Sequence, residues 1–458
     1  MKNKVALIGG GGARTPLFIY GLAEAQPALE TGELALFDIH RENAETMAAL
    51  GRQIVAGQRA GFPVTVARTV EEAIEGARFV VSSIRVGGME ARARDERMVI
   101  DSGYAGQETT GAGGLAMALR TIPVALEHAR LVELLAPDAW LINFTNPAGL
   151  ITRALRTHTR ARAIGICDTP AELFHRIAWA TGAPFEELEF RYLGLNHLGF
   201  VRAVLHRGED ITKRLLADDH ALMRLYPAPL FDPKMIRAMG LIPTEYLFFY
   251  FASSIALANQ RAAGASRGEE LARMNAGLFA HLRERPAGAM EIYKDYLNAR
   301  NASYMRLEGN AESALGRGSI DWDPFQGATG YHRIALEVMT AVAGAPREMV
   351  VNVVNDGAIQ DLRDDDIVEV PSVVDPDGAR PLPAGALPAI VKGLVLAVNE
   401  YERLTVRAAV EGSFDLACLA LFANPIVGEW EPAVRMLGQL VDSDARSLGY
   451  LRGIEVAF

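Results

Sequence analysis

The opening of the chain, KVALIGGGGARTP, limits its fold more than any other stretch. Residues 4–8 are a short apolar run, Gly9, Gly10, Gly11 and Gly12 follow without interruption, and a helical pattern then runs through Leu17, Ile19, Leu22 and Ala23. Strand, glycine turn and helix in that order make a cradle for a pyrophosphate. Glycine lets the backbone approach closely, and the helix N-terminus offers unpaired N–H groups. The next apolar run, residues 33–37, ends at Asp38. A carboxylate at the tip of a second strand can accept both hydroxyls of an NAD ribose and would repel a 2′-phosphate. Arg14 stands where the usual fingerprint has its third glycine, so the glycine run carries weight only together with Asp38. NAD is therefore the expected cofactor, with Gly9, Gly10, Gly11 and Asp38 binding it.

The alternation continues. The pattern predicts a helix over about 42–58, strand-like VTVA at 64–67, a helix near 71–76 and a strand at 79–84. A helix at 114–135, a strand at 139–144, a helix to about 156 and the apolar AIGIC at 163–167 follow. Strands and helices spaced this way form a doubly wound parallel sheet. The expected fold is thus α/β, a Rossmann-like domain in residues 1–170 packed directly on a mixed α+β domain in residues 171–458. The strand ends carry Arg85, Asn146, Cys167 and Asp168, which should share one rim, with Arg85 on the cofactor side. Beyond 170 the pattern is irregular: strand-like sequence at 190–206, then helices to about 342, strand candidates at 350–354 and 366–373, and a long helix around 388–410.

Half of the residues are hydrophobic and 22% are charged, the composition of a globular protein with ample core. A net charge of −10 argues against nucleic acid or an anionic membrane as partner. No apolar run approaches the roughly 20 residues that span a bilayer, and Cys167 and Cys418 are too few for a disulfide framework, so a reducing cytoplasmic location is expected.

Several residues could carry chemistry. Cys167 ends an apolar run and is followed at once by Asp168; alone, such a cysteine reads as a small buried hydrophobe. His197 lies in GLNHLGF, where a single histidine is most often structural, but with Cys167 at the neighbouring sheet edge it completes a thiolate–imidazole pair suited to a divalent metal. Tyr246 and Tyr250 are four apart in an apolar stretch read as helix, a spacing typical of core. As a base, a tyrosine would need a nearby cation to lower its pKa. In residues 84–120, the charged group around Arg92 reads as a solvated helix face, and GQETTGAGG as a loop lining a polar site.

Taken together, these blocks resemble the family 4 glycoside hydrolases, NAD- and divalent-metal-dependent glycosidases, and most of all their 6-phospho-β-glucosidases. The resemblance runs through KVALIGGGGARTP, RVGG, RARDE, GQETTGAGG, INFTNPAGLIT, GICDTP, GLNHLGFV and VVNVVNDGAIQDLRDDDIVEVPSVV. It implies a lactate/malate dehydrogenase-like fold and hydrolysis by C3 oxidation, C2 deprotonation, elimination, water addition and re-reduction. It also implies Cys167 and His197 as ligands of Mn²⁺ or another divalent metal, and Asn146 on the substrate hydroxyls. Tyr246 would be the C2 base, Asp168 an acid on the leaving group, and Glu108 a further catalytic group. Arg92 would meet a 6-phosphate. Family members are dimers or tetramers, so a homo-oligomer acting on a small glycoside is expected.

Two departures bear on substrate. CDTP at 167–170 is closer to the phospho-α group's CDMP than to the phospho-β group's CNVP. In QGATGYH, Gln326 stands where phospho-glycosidases carry an arginine. Either Arg300, Arg306 or Arg317 replaces that cation, or the substrate is not phosphorylated. Outside the family, the residues would also suit an NAD-dependent 2-hydroxy-acid dehydrogenase or an idle NAD-binding protein.

Overall fold

The computed structural model describes residues 2–305, 325 and 330–451. Its floor is a set of parallel strands: β1 (Asn3–Ile8), β2 (Thr31–Phe37), β3 (Val64–Val66), β4 (Phe79–Ser82), β5 (Trp140–Asn143) and β6 (Arg162–Gly165). They lie in the order β3-β2-β1-β4-β5-β6, so the winding reverses between β1 and β4. This is the Rossmann order, and its ligand crevice opens beyond the carboxyl ends of the strands at that reversal. Helices cover both faces, which is why β1 and β4 read as unbroken apolar runs: Val5 to Ile8 and Phe79 to Val81 are all buried.

The second half of the chain first builds a small antiparallel sheet from β7 (Leu188–Leu195), β8 (Leu198–His206), β9 (Glu209–Asp210) and β10 (Ile242–Pro243). It then returns to the floor. β11 (Arg347–Val354), β12 (Ile367–Asp375) and β13 (Gly378–Pro381) run antiparallel and extend the first sheet to nine strands, with Asn352 of β11 opposite Gly165 of β6. Strands from both halves therefore share one sheet. The long helix Ala389–Glu411 follows and packs on the helices Gly111–Leu135 and Ala148–His158.

Three local expectations are corrected. The strand-like run at 190–206 is a hairpin whose turn is Asn196 and His197; leucines on both sides of the pair hid it. Tyr246 and Tyr250 do not share a long helix: Tyr246 sits in a 3-10 turn, Glu245–Leu247, and Tyr250 in the single turn Phe248–Phe251. The charged stretch around Arg92 is not a solvated face. In the helix Gly88–Asp101, Arg92, Asp95 and Glu96 are buried and ion-paired. Arg306, Arg317 and Gln326, with most of the glycine-bearing stretch at 308–330, lie outside the described residues. Among the described residues no helix is long and apolar enough to cross a membrane.

Candidate functional site

A cleft of about 1950 Å³ opens over the carboxyl edge of the sheet. Gly9, Gly11, Asp38, Arg85, Arg92, Glu108, Asn146, Cys167, Asp168, His197 and Tyr246 all line it. Gly10 is the exception among the expected site residues: it is buried behind the turn, against Leu36.

At the β1 end the cleft is built from backbone. Gly9 has a φ of 91°, and a side chain there would come within 2.3 Å of the Ser83 carbonyl oxygen, so only glycine lets the turn close against the end of β4. The helix Thr15–Glu24 starts directly after the turn, with Pro16 in its first turn where no N–H is needed. The Asp38 carboxylate accepts hydrogen bonds from the Gly11 and His40 N–H groups, both at 2.9 Å, one on each oxygen. Each oxygen keeps a further lone pair for a hydroxyl.

A chain of alternating charges crosses the middle of the cleft. Glu108 pairs with Arg85 and, at 2.9 Å, with Arg92, which in turn holds Glu96 at 2.8 Å. Burial alone would raise the Glu108 pKa, but the two arginines bring it down to about 2. Burial likewise works against the charge on Arg92, yet Glu108 and Glu96 outweigh it and raise its pKa.

The β6 end is built from side chains drawn from distant segments. Cys167 follows β6 and is buried; burial, then the charges of Glu369 and Asp168, push its thiol well above the usual range. Next to it, Asp168 precedes the helix Thr169–Thr181 and lies 3.8 Å from Arg14. Asn146 stands in a loop after β5 that the Asn143 side chain ties down through Thr145, Ala148 and Thr152. His197, at a φ of 60°, is pointed into the cleft by its place in the hairpin turn. Its ring stacks flat on Tyr246, with centroids 3.8 Å apart, and its Nδ1 lies 2.8 Å from the Thr109 hydroxyl. Burial lowers the His197 pKa to about 4, so the imidazole is neutral at pH 7. Burial, with Glu108 and Glu245 nearby, pushes the Tyr246 hydroxyl far above its ordinary pKa.

Reading the sequence missed several groups here. Glu369 of β12, almost fully buried and pushed to about 7 by that burial, accepts hydrogen bonds from Tyr192 at 2.7 Å, Asn196 at 3.0 Å and Asn352 at 3.2 Å. It ties the small sheet to the large one through Tyr192 and through Asn196, the residue before His197. Its signal was visible, a lone carboxylate inside the apolar run IVEVPSVV. Gln107 and Thr109 were read only as part of a polar loop. Glu245, pushed to about 7 by burial, and Tyr304, whose hydroxyl donates to it at 3.0 Å, left no such trace.

Among the described residues no three His, Cys, Asp or Glu side chains converge on one point. Cys167 and His197 nevertheless suit a divalent cation as a pair: a thiol that needs a positive neighbour to ionise, and an imidazole already neutral. Two protein ligands leave coordination positions for substrate oxygens.

Known proteins match the chain along most of its length. The model of the family 4 glycosyl hydrolases matches residues 4–182, and that of their C-terminal domain matches residues 192–427. A probable 6-phospho-β-glucosidase of Bacillus subtilis is 31% identical over 454 residues, 96% of each chain. A phospho-α-glucosidase of Clostridium acetobutylicum is 26% identical, over 97% of this chain and 98% of its own. The structure of a 6-phospho-β-glucosidase from Thermotoga maritima with manganese, NAD⁺ and glucose-6-phosphate superposes with a TM-score of 0.80 at 26% identity, covering 99% of this chain and 100% of that one.

Proposed function

The chain belongs to the family 4 glycosyl hydrolases, and from that membership we propose that it hydrolyses a 6-phospho-glucoside, with the β-linkage favoured. The observation that carries the proposal is the gathering in one cleft of Gly11 and Asp38 at one end and Asn146, Cys167, His197 and Tyr246 at the other. Residues 1–170 act as the dinucleotide half, and residues 171–458 bring His197 and Tyr246 to it. The preference for β rests on the higher identity to the β-enzyme, 31% against 26%.

When bound, NAD⁺ would supply a reversible hydride acceptor for the sugar and a divalent metal such as Mn²⁺ would supply Lewis-acid stabilisation of its oxygens. The chain does the rest. Gly9, Gly11 and Asp38 seat the dinucleotide, and Cys167 and His197 hold the metal. Asn146 fixes the sugar hydroxyls. Tyr246 takes the C2 proton, which requires a cation beside it to reverse the upward push of burial on its pKa. Asp168 gives a proton to the departing oxygen, and water then adds at C1. Glu108, held ionised, orients Arg85 and Arg92 rather than moving a proton.

The phosphate falls to Arg92 and Arg300. Arg300 lines the cleft with its guanidinium 3.2 Å from the Tyr296 hydroxyl, and burial, then the charge of Arg14, lower its pKa. A cation made costly in this way gains from an incoming anion, which supports Arg300, among the described residues, as the replacement for the arginine missing at Gln326.

A panel of p-nitrophenyl α- and β-glucosides, with and without a 6-phosphate, assayed with NAD⁺, Mn²⁺ and a reductant, tests the reading. Turnover of the 6-phospho-β-glucoside with solvent deuterium entering C2 is expected. Turnover of unphosphorylated sugars alone would remove the phosphate from the proposal, and net NADH release without glycoside cleavage would leave a dehydrogenase.

A further inference from the structure

A histidine can bind a metal through Nε2 only when its proton sits on Nδ1, and the surroundings of His197 settle which nitrogen holds it. The Gln107 side-chain oxygen accepts from the backbone N–H groups of Thr109 and Thr110. Two converging N–H donors require an oxygen there, since the amide NH₂ would meet them donor to donor. The Thr109 hydroxyl lies 2.7 Å from that same oxygen and 2.8 Å from His197 Nδ1. It has one proton to give. Directed at His197, that proton would leave two oxygens 2.7 Å apart with nothing between them. Directed at Gln107, it leaves a hydroxyl lone pair facing Nδ1.

We propose that Gln107 and Thr109 form a relay that keeps the His197 proton on Nδ1 and its lone pair on Nε2, ready for a cation. Thr109 is a positioning residue, acting through His197 rather than on the substrate. The Tyr246 ring flat against the imidazole and the buried hairpin turn hold the ring in plane, so the relay sets a tautomer on a ring that is already placed. The chain of donors starts at backbone amides, so the tautomer depends on no titrating partner in the relay. The inference rests on reading His197 as a metal ligand, and it explains why a threonine in the GQETTG loop must carry its hydroxyl.

Two measurements on the full chain test it, and neither depends on turnover. Long-range ¹H–¹⁵N correlation on metal-free protein labelled at histidine nitrogen, with the His197 signals assigned through His197→Gln, should show the proton on Nδ1. A proton on Nε2 overturns the relay. Mn²⁺ affinity, read from the electron paramagnetic resonance of the free ion, should weaken about 10- to 100-fold in Thr109→Val, as is typical when the partner of a metal-bound histidine is lost. Thr109→Ser, which keeps the hydroxyl, should restore it, and NAD⁺ affinity should hold in both variants. If the unmodified chain binds Mn²⁺ and Thr109→Val binds it equally well, the relay is wrong while the metal site stands. If the unmodified chain binds no Mn²⁺, the metal site falls as well. Should Thr109→Val fail to fold, the tautomer in the unmodified chain and the affinity of Thr109→Ser still decide.

Discussion

The two ends of the cleft are made differently. At the β1 end the working parts are backbone N–H groups, a turn that only glycine can close and one carboxylate whose oxygens are already fixed by Gly11 and His40. It is finished before any ligand arrives. At the β6 end the proposed working parts are Cys167, His197 and Tyr246, from three separate stretches of chain, and burial keeps two of them, the Cys167 thiol and the Tyr246 hydroxyl, in the protonated form that a metal ligand and a base must leave. A site of backbone needs only its ligand; a site of buried acids needs a charge before it becomes reactive.

The largest break in this comparison should come from Cys167→Ser. Losing a metal's charge stabilisation of several kcal/mol is roughly a 10³-fold fall in turnover, whereas NAD⁺ affinity, measured by titration, should stay as it was. Tyr246→Phe should follow, with kcat down roughly 10²-fold or more, the usual worth of a positioned base. It should also abolish the uptake of solvent deuterium at C2.

The opposite break is Asp38→Asn. Removing a charged acceptor worth about 2 kcal/mol should weaken NAD⁺ roughly 30-fold and narrow the gap to NADP⁺, with Mn²⁺ affinity untouched. The last effect, about tenfold per unit, is a matter of pH. Because the Cys167 thiol titrates well above its ordinary value, each Mn²⁺ that binds must release that proton. Mn²⁺ affinity should therefore rise about tenfold per pH unit between pH 6.5 and 8, and fall as pH drops. NAD⁺ affinity should stay flat over the same range, since backbone amides do not titrate there.

The same contrast explains what could be read from the sequence. Gly9, Gly11 and Asp38 stand at the ends of the first two strands, and a strand–turn–helix pattern announces itself locally. Cys167 was legible as a strand end, and the Rossmann sheet followed from the alternation. The β6 end was legible only in part because its partners are remote: Thr109 and His197 are 88 residues apart, Asn196 and Glu369 173. A single residue gives no sign of a partner at that range, so the role of Tyr246 came from resemblance, and that of His197 from its pairing with Cys167 and from resemblance together. The buried ion pairs of Arg92 failed for a related reason, because a charged helix looks solvated until the elements covering it are known.

The sheet that runs without a break from β3 to β13 has a consequence for timing. A floor with no seam between β2 and β6 offers no hinge there, so Asp38 and Cys167, which follow those strands, keep one spacing. A cofactor that lends a hydride and takes the same one back is never spent and need not leave. Such a cycle is served by a fixed bench rather than a closing jaw.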